Sequence, residues 1–156
     1  MSKYGAKKVI VTADGTIFDV ETVKRFNLTI DGVRCDSVAE GEYLRELLQL
    51  KKEGAITEIE CQPKFPLADG IIYIADFKVT FSGGSTVVID VKGVQTPVFR
   101  LKAKMFRTAY PDLELRVIQK YHGRWMTVEE IKKEKSAQKR ALNKLIKKAE
   151  EKGRNK

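Results

Sequence analysis

The hydrophobic patterning of the chain predicts an α/β fold, a mixed β-sheet flanked by helices. Two runs of apolar β-formers, residues 71–79 and 86–92, are joined by the turn Ser82-Gly83-Gly84. Segments with helical spacing precede and follow them, over residues 37–53 and 97–110. An alternating stretch at 113–118 then completes a strand, helix, strand crossover, which pairs parallel strands with right-handed connection.

Taken in order, residues 9–34 read as short strands and turns, an N-terminal hairpin region. Asp14-Gly15 and Asp31-Gly32 each stand between β-formers, a hairpin signal. ADGTIFD and IDGVRCD around them are alike over too few residues to make a repeat. The first long helix has Asp36 or Ser37 as its cap, Glu40 three residues after Ser37 as in a capping box, and Gly54 as its stop. At about 100° per residue, Tyr43, Leu44, Leu47 and Leu48 form an apolar arc with Glu40 at its centre. Glu42, Arg45, Glu46 and Gln49 lie opposite. A carboxylate on a buried face is costly unless something satisfies it, so Glu40 stands out. Residues 71–79 are apolar on both faces up to Asp76 and read as a central strand interrupted by one acid, with 86–92 as its central partner. Helix 97–110 places Val98, Leu101, Met105, Phe106 and Ala109 on one face, and Pro111-Asp112 ends it. After Met126 the chain is helix-prone, with a thin stripe of Ile131, Leu142, Leu145, Ile146 and Ala149. The expected organisation is one domain over residues 1–128, with the hairpin region at 1–35 and a core at 36–120, followed by a basic helical tail at 129–156.

Composition narrows the function. The 156 residues are 42% hydrophobic and 33% charged, enough for one domain with a core. No apolar run approaches the roughly 20 residues of a membrane span, and Met1-Ser2-Lys3 begins no secretory signal, so the expectation is a cytoplasmic protein away from membranes. Cys35 and Cys61 lack metal-site or disulfide-framework spacing and read as reduced thiols. The net charge of +9 favours a polyanionic partner, nucleic acid above all. About +6 of it falls in residues 129–156.

Two acids in central strands need a reason. Asp90 and Lys92, two apart on a strand, emerge on one face. A two-residue Gly83-Gly84 loop would pair Asp76 with Val91 and send it to the other face. A three-residue loop pairs Phe81 with Ser85, sets Asp76 against Asp90, and uses Gly84 at its left-handed position. The sequence permits the second register without forcing it. Acid, acid and lysine at one sheet end suit a hard divalent cation, Mg²⁺ or Mn²⁺, with open positions for phosphate. Lys92 would steady a nucleophile or the charge on phosphorus, and Glu40, inward from its helix, would complete the metal shell or orient the attacking water.

Glu40, Asp76 and Asp90-Val91-Lys92 in these elements resemble the motif of the PD-(D/E)xK nuclease superfamily, whose core has the same helix, hairpin, helix, strand order. The stretch YIADFKVTFSGGSTVVIDVKG, a helix, then YPDLELRVI resembles phage endonuclease I junction resolvases, as does the Ser37-Val38-Ala39-Glu40 helix start. The KYGAKK start, the helix start Asp36-Ser37 with Glu40, the QPKF segment and the DVKG strand also resemble a family of small phage proteins of unassigned function. The sequence departs in having Ala75 before Asp76 instead of proline, Asp90 instead of the longer glutamate, and a longer region before Glu40. The resemblance implies a restriction-endonuclease-like fold and a Mg²⁺- or Mn²⁺-dependent DNA endonuclease. It would be a hydrolase with Glu40, Asp76, Asp90 and Lys92 as catalytic residues and the three acids as metal ligands. It also implies branched DNA, such as Holliday junctions, cut by a homodimer in phage recombination or DNA processing. The alternatives are a non-specific or single-strand phage nuclease and a nucleic-acid-binding module without catalysis. A protein-interaction adaptor would leave the basic excess and the inward acids unexplained.

Other residues admit a functional and a plain reading. Lys102 falls inside the apolar arc of its helix, as a second phosphate contact or a lysine snorkelling at the rim. Arg100, Lys104 and Arg107 share the outer face, as DNA contacts or a solvated surface. Gln62 is a hydrogen-bonding neighbour of the metal site or a loop amide. His122 reads as loop, and Tyr121 with Trp125 as a closing hydrophobic patch. The tail can lie along DNA, pair with another chain, or stay partly disordered alone.

Overall fold

The computed structural model describes residues 6–154. The first half of the KYGAKK segment and the last two residues of the basic tail lie outside the described residues. The chain forms two compact units, Met1–Val117 and Ile118–Lys156, and its architecture is α/β with a mixed sheet.

In the first unit, β1 (Val9–Val11) and β2 (Ile17–Asp19) form the expected antiparallel hairpin around Asp14-Gly15. Thr12 and Thr16 close its loop, and Gly15 takes φ +86°. The Asp14 carboxylate accepts from the Thr12 hydroxyl and the Thr16 amide, which hold it below the usual carboxylate range. Asp31-Gly32 makes no second hairpin. Strand β3 (Val33–Cys35) instead pairs with the free side of β1, giving the order β2-β1-β3. A Cβ on Gly32 would lie 2.6 Å from the Val11 carbonyl oxygen, so this glycine serves close approach and not a turn. The intervening α1 (Val20–Arg25), capped by the Asp19 carboxylate, was not expected; six residues are too few to display a helical period.

Helix α2 (Val38–Lys52) starts and stops where its caps dictate. Ser37 Oγ accepts from the Glu40 amide at 3.1 Å. At the other end Ala55 N donates to Leu50 O and Gly54 N to Lys51 O, a Schellman closure with Gly54 at φ +83°. It buries Glu40, Gly41, Leu44 and Leu47. Gly41 lets the helix approach β1 closely, for an added Cβ would meet Val9 Cγ2 at 2.5 Å. Helix propensity alone favours Gly41→Ala by about 1 kcal/mol, whereas overpacking costs about 1–3 kcal/mol. The clash is expected to win, and a lower thermal midpoint for Gly41→Ala checks it.

The main sheet runs β4-β7-β8-β9 in this unit: β4 (Ile56–Cys61), β7 (Phe77–Phe81), β8 (Thr86–Val91) and the start of β9 (Glu114–Tyr121). Strand β4, antiparallel to β7, was not expected from the sequence. Residues 71–79 are not one central strand. β6 (Ile72–Ile74) pairs with β5 (Lys64–Pro66) in a separate two-stranded sheet, and the chain bends at Ala75-Asp76 before entering β7. Only Tyr73 of β6 is buried, while Ile72 and Ile74 are exposed.

Helix α3 (Pro97–Ala109), capped by Thr96, buries Phe106 as expected but is rotated from the expected face elsewhere. Phe99, Ala103 and Phe106 are buried, whereas Val98 and Leu101 are 65% and 60% exposed. Phe99 takes the inward place beside Phe106 because its ring and that of Phe106 complete an aromatic cluster with Phe65, Tyr73 and Tyr110.

In the second unit, the end of β9 pairs with β10 (Arg124–Thr127) through a two-residue turn, His122 at φ 48° and Gly123 at φ 75°. His122 is a turn residue, as expected. Tyr121 and Trp125 are half-buried and each carries a lysine ammonium over its ring, from Lys135 and Lys120 respectively. Helix α4 (Val128–Arg154) begins with a capping box, Thr127 with Glu130. Its 27 residues span about 40 Å. It buries only Val128 and Ile131; Leu142, Leu145 and Ile146 are exposed, and its cations outnumber its acids ten to five. Among the described residues no helix is long and apolar enough to cross a membrane.

Candidate active site

Strand β8 is buried from Val87 to Val91, so Asp90 lies deep, 1% exposed. A charge taken out of water must be met by partners. The Tyr73 hydroxyl donates to Asp90 Oδ2 at 2.6 Å. Lys92 Nζ lies 2.7 Å from Oδ1 in a buried ion pair. Among the described residues, Asp90 Oδ1 is thus met by the Lys92 ammonium and by no other donor. The Lys92 ammonium also sits 4.8 Å from the centre of the Phe99 ring.

The β7–β8 hairpin takes the three-residue register. Phe81 N donates to Ser85 O, Gly84 N to Phe81 O, and Gly84 adopts φ +88°. Pairs run from Thr80 with Thr86 to Phe77 with Ile89. One step further, where Asp76 would face Asp90, the backbone bends. The Asp76 amide donates to Ile89 O at 3.1 Å, and its carboxylate accepts from the Val91 amide at 2.7 Å. Asp76 is therefore tied to the residue between Asp90 and Lys92.

The neighbouring chain bends with it. Gln62 N donates to Asp76 O at 2.9 Å and Ala75 N to Pro63 O at 3.2 Å, with Gln62 held at φ +52°. A non-glycine residue there is strained and persists because its surroundings hold it. The Gln62 side chain is exposed; its main chain, not the side-chain amide foreseen, makes the described link to Asp76.

Glu40 is buried on α2, as its spacing suggests, but does not gather with Asp76 and Asp90 into one group. Its Oε2 accepts from the Asp36 amide at 3.1 Å, so its burial serves helix capping at least in part. Its charge and that of Asp76 both act on the buried Cys35 thiol. Burial first, then Glu40, Cys61, Asp76 and Asp36, push that thiol up to about 12. Cys61, beside Phe77 in the β4–β7 register, is raised by its own burial and by Glu60. The native Cys35 thiol keeps its proton up to about pH 12, while the unfolded chain releases it near 9.0. Unfolding free energy is therefore expected to fall as pH rises from about 9 towards 12. Denaturant titrations between pH 8 and 10.5 check this, with a shallower decline in Cys35→Ala.

Tyr73 is the residue that sequence reasoning missed. It is a lone polar aromatic within an isoleucine run, buried against Phe65 and Phe106. Burial, followed by the Asp90 charge and hydrogen bond, raises its hydroxyl well above the ordinary tyrosine value and keeps it a donor.

The donor set suits a hard cation. Among the described residues no three His, Cys, Asp or Glu side chains gather to cage an ion. Mg²⁺ needs no such cage, since it keeps waters and takes one or two carboxylates with phosphate oxygens. Asp90 Oδ1, buried and met by the Lys92 ammonium alone, fits that role once the ammonium gives way, with Asp76 on the adjoining chain. Helix α3 follows Lys92 closely and bears Arg100, Lys102, Lys104 and Arg107 without one acid. Lys102 is half-buried and the other three are exposed. The Arg107 charge reaches the Tyr73 hydroxyl.

No curated protein and no solved structure matches the chain. Residues 23–123, which hold Glu40, Gln62, Tyr73, Asp76, Asp90, Lys92 and all of α3, match the family model described as "Protein of unknown function (DUF1064)". The chain belongs to the DUF1064 family.

Proposed function

We propose that the protein is a divalent-metal-dependent DNA endonuclease of the PD-(D/E)xK type, with a restriction-endonuclease-like core. The observation that carries this reading is the buried pair of Asp90 Oδ1 and the Lys92 ammonium at 2.7 Å, one residue from the amide that binds Asp76. A protein that only bound nucleic acid would gain nothing from buried acids that repel phosphate.

Asp76 and Asp90 would hold Mg²⁺ or Mn²⁺, with Glu40 contributing to its shell or orienting water. The ion would supply positive charge to the scissile phosphate and lower the pKa of an attacking water. Lys92 is a cation on a short tether, positioned by Asp90 and by the Phe99 face, which a phosphate oxygen can engage in place of Oδ1. Hydrolysis joins the water oxygen to phosphorus and breaks one P–O ester bond. Arg100, Lys102, Lys104 and Arg107 would contact the DNA backbone and contribute salt-dependent affinity. The likeness to junction resolvases favours branched DNA cut by a homodimer in a phage-infected cytoplasm, a step that fold and motif do not themselves dictate.

The use of Glu40 as a helix cap favours a second reading, a nucleic-acid-binding module without catalysis. One assay separates the two. Four-way junctions, linear duplex and single strands are incubated with Mg²⁺ or with EDTA. Paired symmetric nicks at the junction support a resolvase, and cutting of every substrate supports a general nuclease. Salt-sensitive binding without metal-dependent cutting supports the binding module.

A further inference from the structure

Asp90 is gripped by a residue outside the catalytic motif. Tyr73 belongs to β6, whose pairing is with β5 in a two-stranded sheet, and so reaches Asp90 from outside the sheet that carries it. Its hydroxyl gives Oδ2 a 2.6 Å hydrogen bond, short as expected for a charged acceptor. Its ring is packed by Phe65 at 6.5 Å, Phe99 at 6.5 Å and Phe106 at 5.5 Å between centroids, with little room to swing away. The other oxygen, Oδ1, is met by the Lys92 ammonium alone, at 2.7 Å.

We propose that Tyr73 is a positioning residue that occupies Asp90 Oδ2 and confines the carboxylate to cation binding through Oδ1 alone. This rests on the metal-dependent reading of the same site. Binding through one oxygen suits Mg²⁺ and Mn²⁺, small octahedral ions that retain several waters. Ca²⁺ takes six to eight oxygens and readily uses both oxygens of a carboxylate. Tyr73 thereby sets a preference for the smaller ions, which would take the place of the Lys92 ammonium on Oδ1.

The test uses binding of the ions alone, without cleavage. The full chain, Tyr73→Phe and Asp90→Asn are titrated calorimetrically with Mn²⁺ and, separately, with Ca²⁺. Tyr73→Phe should weaken Mn²⁺ binding about tenfold, the lower end for losing an outer partner of a metal ligand. It should weaken Ca²⁺ binding less, so that the Mn²⁺/Ca²⁺ ratio falls. Asp90→Asn should weaken both. Incorporating 3-fluorotyrosine at position 73 gives a stronger donor of nearly the same shape, which leaves the fold in place and should move the ratio the other way. An unchanged ratio in both Tyr73 variants, with Asp90→Asn still losing Mn²⁺, overturns the role of Tyr73 and leaves the nuclease reading standing. Absence of Mn²⁺ binding by the unaltered chain, or binding indifferent to Asp90→Asn, overturns the metal site and this proposal with it.

Discussion

Asp90→Ala is expected to reduce Mg²⁺-dependent cleavage to the level of the EDTA control while DNA affinity is unchanged or rises. The loss should be at least about 10³-fold, the upper range for removing one preorganised electrostatic contact. Two effects act together. The oxygen that would hold the cation is gone, and Lys92, 2.7 Å from it, loses the partner that positions it. Binding moves the other way because a negative charge leaves the site and the Lys92 ammonium becomes available to phosphate. The backbone contacts that set the salt dependence are untouched, so the slope of affinity against salt should not change. Asp90→Asn keeps an acceptor for the Tyr73 hydroxyl and separates lost chemistry from the roughly 1–3 kcal/mol of leaving that buried group unsatisfied. Glu46→Ala, on the exposed side of α2, should alter neither cleavage nor binding. Equal loss from Glu46→Ala and Asp90→Ala would mean that the fold, and not the site, had failed.

The largest stability effect is expected at Phe106. Its ring is fully enclosed and meets Phe65 edge-on at 4.9 Å, Tyr110 at 5.2 Å and Tyr73 at 5.5 Å. Phe106→Ala leaves a cavity that several rigid rings cannot refill and should cost about 3–5 kcal/mol. That is a large share of the roughly 5–15 kcal/mol that holds a domain together, and it lowers the thermal midpoint by on the order of 10 °C. Mn²⁺ affinity should fall as well, because Tyr73 loses the packing that aims its hydroxyl at Asp90. Val98→Ala, eight residues earlier on the same helix but 65% exposed, should stay within about 0.5 kcal/mol. A Phe106→Ala melting curve no lower than that of Val98→Ala would show that Phe106 does not anchor α3 to the core.

The contrast between Val98 and Phe106 marks where sequence reading ran out. Both lie on an arc that helical spacing makes apolar, and periodicity does not rank apolar side chains by the area each can bury. Choosing whether Val98 and Leu101 or Phe99 and Ala103 join Phe106 inside requires knowing that Phe65 and Tyr73 wait there. The break at Ala75-Asp76 escaped for a similar reason. An unbroken apolar run reads as a strand, and nothing local to residues 71–79 discloses that Gln62 and Pro63 bend alongside and bind Asp76 and Ala75. Strand β4 and helix α1 went unseen because one is a short strand with an acid at every second position, Glu58 and Glu60, and the other has a single turn and a half of helix.

What the sequence determined by itself was everything that local chemistry dictates. Ser37 and Gly54 bound α2, because a hydroxyl cap and a left-handed glycine act over a few residues. Asp14-Gly15 closes the first hairpin, and Gly84 permits the loop that places β7 against β8. The two-residue spacing of Asp90 and Lys92 puts both on one face of a strand, and helical spacing turns Glu40 inward. Only the tertiary structure decided which of two permitted registers the β7–β8 hairpin adopts, that Asp76 leaves its strand to bind the Val91 amide, and that Tyr73 holds one oxygen of Asp90. Each of these joins residues through contacts between segments far apart in sequence, and such contacts are settled by how whole surfaces pack, which no local pattern encodes.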